Sequence, residues 1–190
     1  CGQGALEGNT TASNNTAVGT NCLQANTTGT NNTAIGSGAG KTQTTTHGCT
    51  WVGVEAGRVN TASDNVGIGS GALYSNTSGT FNTAIGPGQY GLTQGPLGAN
   101  TTGHFNTAVG LKALLNSTTA SNNTAVGSSA MISNTTGHSC SALGSSALSA
   151  NTTGNYNTAY GLQALDANTT GGFNVAIGSG ALGASTTVSA

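Results

Sequence analysis

His47-Gly48-Cys49 and His138-Ser139-Cys140 repeat one His-x-Cys spacing. Residues two apart on a β-strand share a face, so each pair would offer an imidazole and a thiolate to one side. Three copies around a symmetry axis could then ligate a soft metal. His47, Cys49, His138 and Cys140 are the candidate ligands. The competing reading leaves the histidines exposed at a turn and the cysteines as small apolar residues. A third histidine, His104, has no cysteine two residues on.

Acid–base chemistry has fewer parts to work with. The chain holds four carboxylates, Glu7, Glu55, Asp64 and Asp166. A catalytic site needs acid, base or nucleophile groups within hydrogen-bond reach of one another. Only Glu7 and Asp166 share a position in the repeat described below, and they stand at opposite ends of it. The many glycines follow the repeat rather than a phosphate-binding loop. These residues argue against an enzyme, and they imply no cofactor.

Composition points the same way. Thr (33), Gly (32) and Asn (22) supply 87 of 190 residues, while 4% are charged; soluble domains carry about 25%. A net charge of −1 leaves no basic face for nucleic acid or an anionic membrane surface. No apolar run approaches the ~18 residues that would insert into a membrane. Disorder is disfavoured too, because prolines and charges are few and the apolar residues recur regularly.

That recurrence defines the elements. The Gly of Asn-Thr-Ala-Val/Ile-Gly falls at 2, 19, 36, 53, 69, 86, 110, 127, 144, 161 and 178, and eight of the ten spacings are 17. The consensus is N-T-A-[VI]-G-x-x-A-L-x-x-N-T-T-G-x-x. Seventeen residues are too few for a helical-hairpin repeat. The Thr-x-Val/Ile run suits a strand, and the Asn, Gly and Ser around it suit turns. The chain therefore reads as all-β: a parallel β-solenoid, or β-roll, of about ten coils, one coil per repeat. Coils stacked at ~4.8 Å make a rod about 48 Å long. Columns of Asn and Thr can form ladders along it.

The columns also propose surfaces. Before each Gly stand Val18, Ile35, Val52, Ile68, Ile85, Val109, Val126, Leu143, Tyr160 and Ile177, each preceded by Ala or, at two places, Trp51 and Gly67. Adjacent strand residues face opposite ways. One column then lines the interior and the other forms an apolar stripe suited to an interface, unless a bend at Gly turns both inward. Five before Gly lie Phe81, Phe105, Tyr156 and Phe173, whose rings can stack in neighbouring coils. Three before Gly lies a Thr array, interrupted by Val66, Ser141 and Val175. Such an array motivates an alternative, a solenoid that binds ice or a regular glycan.

The repeat as it stands at 15–23 with 26–29, at 106–114, and at 157–165 with 168–171 resembles a known family. It is similar to the β-roll repeats of fibre proteins that precede an endosialidase-type intramolecular chaperone in phage, large-virus and bacterial surface proteins. More distantly it resembles the head repeats of trimeric autotransporter adhesins. The resemblance covers nearly the whole chain. It implies a parallel homotrimer, extracellular, on a cell surface or on a virion, used for attachment to a cell-surface receptor or glycan. A head-to-tail filament is the other assembly weighed, and the 190 residues are expected to be part or subunit of a longer fibre.

Two places break the period. Coils 37–69 lack the Leu found four after Gly, carry Trp51, and hold Lys41, Glu55, Arg58 and Asp64. A 24-residue coil carries an insertion at about 91–97. Insertions on solenoids often map to a binding face, so Lys41, Trp51, Glu55, Arg58, Tyr90 and Leu92 form the candidate contact region; tolerated drift of the repeat is the plainer account. Cys49 and Cys140 share a column about 24 Å apart on the strand spacing, too far to bridge. Eleven Asn-x-Ser/Thr sequons would be glycan acceptors on a surface turn in a eukaryotic secretory context; the repeat also writes N-T-T for its own turns and ladders.

Overall fold

A computed structural model describes residues 1–88 and 94–187. Ten three-residue strands form one parallel sheet in chain order: β1 (Thr16–Val18), β2 (Thr33–Ile35), β3 (Thr50–Val52), β4 (Val66–Ile68), β5 (Thr83–Ile85), β6 (Thr107–Val109), β7 (Thr124–Val126), β8 (Ser141–Leu143), β9 (Thr158–Tyr160) and β10 (Val175–Ile177). The chain is a parallel β-solenoid with one coil per repeat. Like pairs with like, as in Thr16 with Thr33, Ala17 with Ala34 and Val18 with Ile35. The register survives both irregular spacings: Thr50 faces Val66 across the short coil, and Thr83 faces Thr107 across the long one. Among the described residues no helix is long and apolar enough to cross a membrane.

A 17-residue coil encloses little volume, so its interior takes small or flat side chains. The strand Ala column points inward, as do the second Ala of each repeat and the Leu column. Most of the remaining interior is amide. One Asn column immediately precedes the strands. In it Asn15, Asn65 and Asn82 accept the backbone N–H of Asn32, Asn82 and Asn106 in the next coil, each at 2.9 Å. Their neighbours' Nδ2 groups reach a carbonyl of the next corner, as Asn32 does to Thr46 at 2.7 Å. A second Asn column lies in the turn. There Asn151 donates to Asn134 Oδ1 at 2.9 Å and to the Gly154 carbonyl at 3.0 Å. The buried amides satisfy the backbone groups that short strands leave over.

Corners are tight. Apart from Gly, 24 described residues have positive φ, and most stand in three columns. These are the Leu column (Leu23 at 46°, Leu114 at 50°), the aromatic column (Phe81 at 58°, Phe105 at 56°) and the second residue after Gly (Lys112 at 60°). An L-residue there costs about 1–2 kcal/mol, a strain the stacked coils hold in place. The repeat Gly is required on two counts. Gly36 has φ 133°, and a Cβ on it would lie 2.5 Å from the Gly53 carbonyl oxygen of the next coil.

The turn ladder breaks at Ser117, where Ser117 Oγ and Asn100 Oδ1 are both buried without a partner. Asn stands at the equivalent place in most coils. Ser117→Asn is expected to raise stability by about 1–2 kcal/mol, read as a higher denaturant midpoint at unchanged m-value. A lower midpoint would refute the ladder as described.

Candidate functional site

Each strand turns its middle residue inward, so its first and third residues share the outer face. That face carries the Thr column and the Val/Ile column side by side for ten coils. Val18, Ile35, Ile68, Leu143 and Tyr160 are 36–49% exposed; Val52, Ile85, Val109 and Val126 are half-buried, and Ile177 is exposed. Just past Gly, the exposed Val54, Leu111 and Leu162 widen the stripe. The face measures about 48 Å by 14 Å, roughly 650 Å², of which the Thr column takes about half and the apolar stripe the rest. An unbroken apolar stripe of a few hundred Å² is of the size that often serves as a contact surface. Of the two arrangements left open by the sequence, Ala lies in and Val/Ile out; Gly does not turn both inward.

Two aromatic pairs stand at the corner leading into this face. Phe81 and Phe105 stack at 5.2 Å with planes 7° apart, and Tyr156 stacks on Phe173 at 4.8 Å and 15°. All four rings are about half exposed or more. His138 meets the Tyr156 ring edge-on at 5.2 Å. A different surface, the turn, carries a Thr-Thr double column whose chemistry in the sequence is that of a turn. Its first Thr is pinned by donating to the next coil's Thr carbonyl, as Thr101 does to Thr118 and Thr152 to Thr169, both at 3.0 Å. The second Thr, as at Thr28, Thr102, Thr136 and Thr153, is exposed.

The irregular coils change meaning. Trp51 is fully buried and cannot contact a partner. It sits in the interior where the Leu column is replaced by Gly40 and Gly57 and the Ala column by Gly67. A Cβ on any of the three would come within 2.9 Å of the indole. Its Nε1 donates to Gln43 Oε1 at 2.8 Å. One large ring has taken the volume that two Leu side chains and an Ala methyl fill in other coils. Of the remaining contact candidates, Lys41 is half-buried, and Arg58 pairs with Glu55 at 2.6 Å and lies 5.8 Å from the Tyr74 ring centre. Tyr90 and Leu92 lie outside the described residues. The inserted segment ends earlier than position 97: Gly95 N–H bonds Gly71, and Leu97 is buried at φ 51° in the Leu column.

The His-x-Cys pairs do not share a face. The segment before each strand is a corner, with Gly48 at φ 67° and Ser139 at 57°, and the i, i+2 rule for strands does not hold there. His47 lies outside, its Nδ1 accepting the Thr30 N–H at 3.1 Å. Cys49 points inward as a stand-in for Asn, its thiol donating to Ala62 O at 3.4 Å; Cys140 does the same to Gly154 at 3.3 Å. Burial pushes the Cys49 thiol up to about 11 and also raises that of Cys140, opposing the thiolate a metal needs. No group of three or more His, Cys, Asp or Glu is gathered among the described residues.

Against known proteins, no family model, curated protein or solved structure matches this chain.

Proposed function

We propose that the chain is a structural rod of an extracellular, cell-surface or virion fibre, assembling side by side with copies of itself through its outer strand face. One observation carries this reading: the Val/Ile column stays apolar and outward through all ten strands. A face with a strict 4.8 Å-class repeat fits another copy of itself, whose matching columns have the same period, better than it fits an irregular partner. Its area, roughly 650 Å², is close to the ~800 Å² per partner of stable complexes. The longer side chains Leu143 and Tyr160 in the Val/Ile column suit interdigitation more than a flat crystalline ligand.

Sedimentation velocity tests this. The wild type is expected at twice the chain mass or a higher whole multiple. Val109→Lys with Val126→Lys, both outward, is expected to sediment as a monomer with unchanged circular dichroism. A wild type that stays monomeric at 100 µM-scale concentration sinks the proposal. The pinned Thr-Thr column on the turn favours a second reading, an ice- or glycan-binding face, which remains open to solvent when the strand face is covered. Thermal hysteresis or retention on an insoluble polysaccharide would support it.

A further inference from the structure

The eleven Asn-x-Ser/Thr tripeptides fall into two classes in the fold. Asn9, Asn14, Asn31, Asn116 and Asn122 are exposed. Asn26, Asn76, Asn100, Asn134, Asn151 and Asn168 have no exposed surface; they are the turn ladder. Each donates its Nδ2 to the carbonyl of the Gly three residues on, at 2.8–3.1 Å. Four of them also donate to the preceding coil's Asn Oδ1.

N-glycan transfer joins Nδ2 to the sugar C1, breaks the C1–O bond to a lipid diphosphate, and takes one proton from the nitrogen. The product keeps one Nδ2 hydrogen and gains a chain of sugars at the atom that faces the interior. Among the described residues no opening lies beside it. Adjacent coils are closed there by backbone bonds, as from Thr27 to Thr44 at 2.9 Å and Thr152 to Thr169 at 2.8 Å. The transferase of the eukaryotic secretory pathway acts on extended chain, before these asparagines turn inward.

We infer that folding of this chain and N-glycan transfer to the six inward asparagines exclude each other, and that the native rod folds on a route where that transferase does not meet the unfolded chain. Assembly in a cytosol, or export by a system without the transferase, satisfies this. The inference concerns how the rod is made and does not depend on how rods associate.

The test fuses the chain to a secretory signal in cultured eukaryotic cells, with and without an inhibitor of lipid-linked sugar synthesis. A companion variant carries Thr28→Ala, Ser78→Ala, Thr102→Ala, Thr136→Ala, Thr153→Ala and Thr170→Ala. All six residues are exposed, so it loses the inward sequons and keeps every interior Asn. Mass spectrometry maps occupied sites, and protease resistance reports folded yield. Wild type is expected to carry sugars on the six and to give at least tenfold less protease-resistant product than with the inhibitor. The variant is expected to fold and to carry sugars only on outward asparagines. Protease-resistant rods with a glycan on any of the six would overturn the exclusion. Folded wild type with all six bare, made without inhibitor, would overturn the inferred route. Should the variant fail to fold in a bacterial cytosol, the inhibitor arm decides alone.

Discussion

Trp51→Ala is expected to lower the unfolding free energy by about 4–6 kcal/mol. The indole is fully buried, and its removal leaves a cavity bounded by Leu23 and by glycines at 40, 57 and 67. It also strips Gln43 Oε1 of its donor. The cause can be isolated by rebuilding the consensus. Gly40 and Gly57 have φ 58° and 59°, close to the 46–54° that Leu adopts in the same column elsewhere. In the wild type, Gly57→Leu should destabilise, because a Cβ would lie 2.3 Å from the indole Cδ2. In the Trp51→Ala background, Gly40→Leu with Gly57→Leu should recover most of the loss. A change of sign between backgrounds is the signature of shared volume. If the triple variant is no more stable than Trp51→Ala, the indole is not the substitute for the missing leucines.

Asn106→Ala is expected to cost about 4 kcal/mol although Asn106 touches no ligand and bears no charge. Its Nδ2 donates to Ala120 O at 2.8 Å, and its Oδ1 accepts Asn123 N–H at 3.1 Å. Truncation leaves that carbonyl and that amide buried without partners, each costing about 1–3 kcal/mol, and adds a small void. Asn106→Leu has as many side-chain heavy atoms and fills the void without the hydrogen bonds, and it should be no better than Ala, which separates the polar ladder from simple filling. Asn116→Ala, on the exposed side of the turn, should stay within about 0.5 kcal/mol. Denaturant titration of the four proteins checks the series. A neutral Asn106→Leu would mean that the interior asparagines are filler.

The corners were the least legible part of the fold. L-residues avoid positive φ, so nothing in Leu114, Phe105 or Lys112 taken singly announces a left-handed corner. The available signal was column-wise. Gly replaces Leu at 40 and 57, an aromatic or Asn at 48, and longer residues at 4, 38, 71 and 180; interchange of Gly with large residues marks a position whose φ suits Gly. The same corner separates the two residues of each His-x-Cys pair, because strand alternation does not extend into it. Trp51 is hard to place from the sequence for a related reason. An aromatic among charges resembles a contact site in sequence, and only the three glycines around it, far apart in the chain, identify it as core.

The period, the column alignment and the parallel one-coil architecture were determined by the sequence alone. They follow from local chemistry repeated many times: a β-branched run that must pair, a Gly that must turn, and a coil too short for helices. What only the tertiary structure decided was direction. A column is the same letters whether it points in or out. Facing was set by stacking, which put amides where backbone groups needed partners, alanines where the coil is narrowest, and Val/Ile outside because the strand's middle residue had already taken the interior.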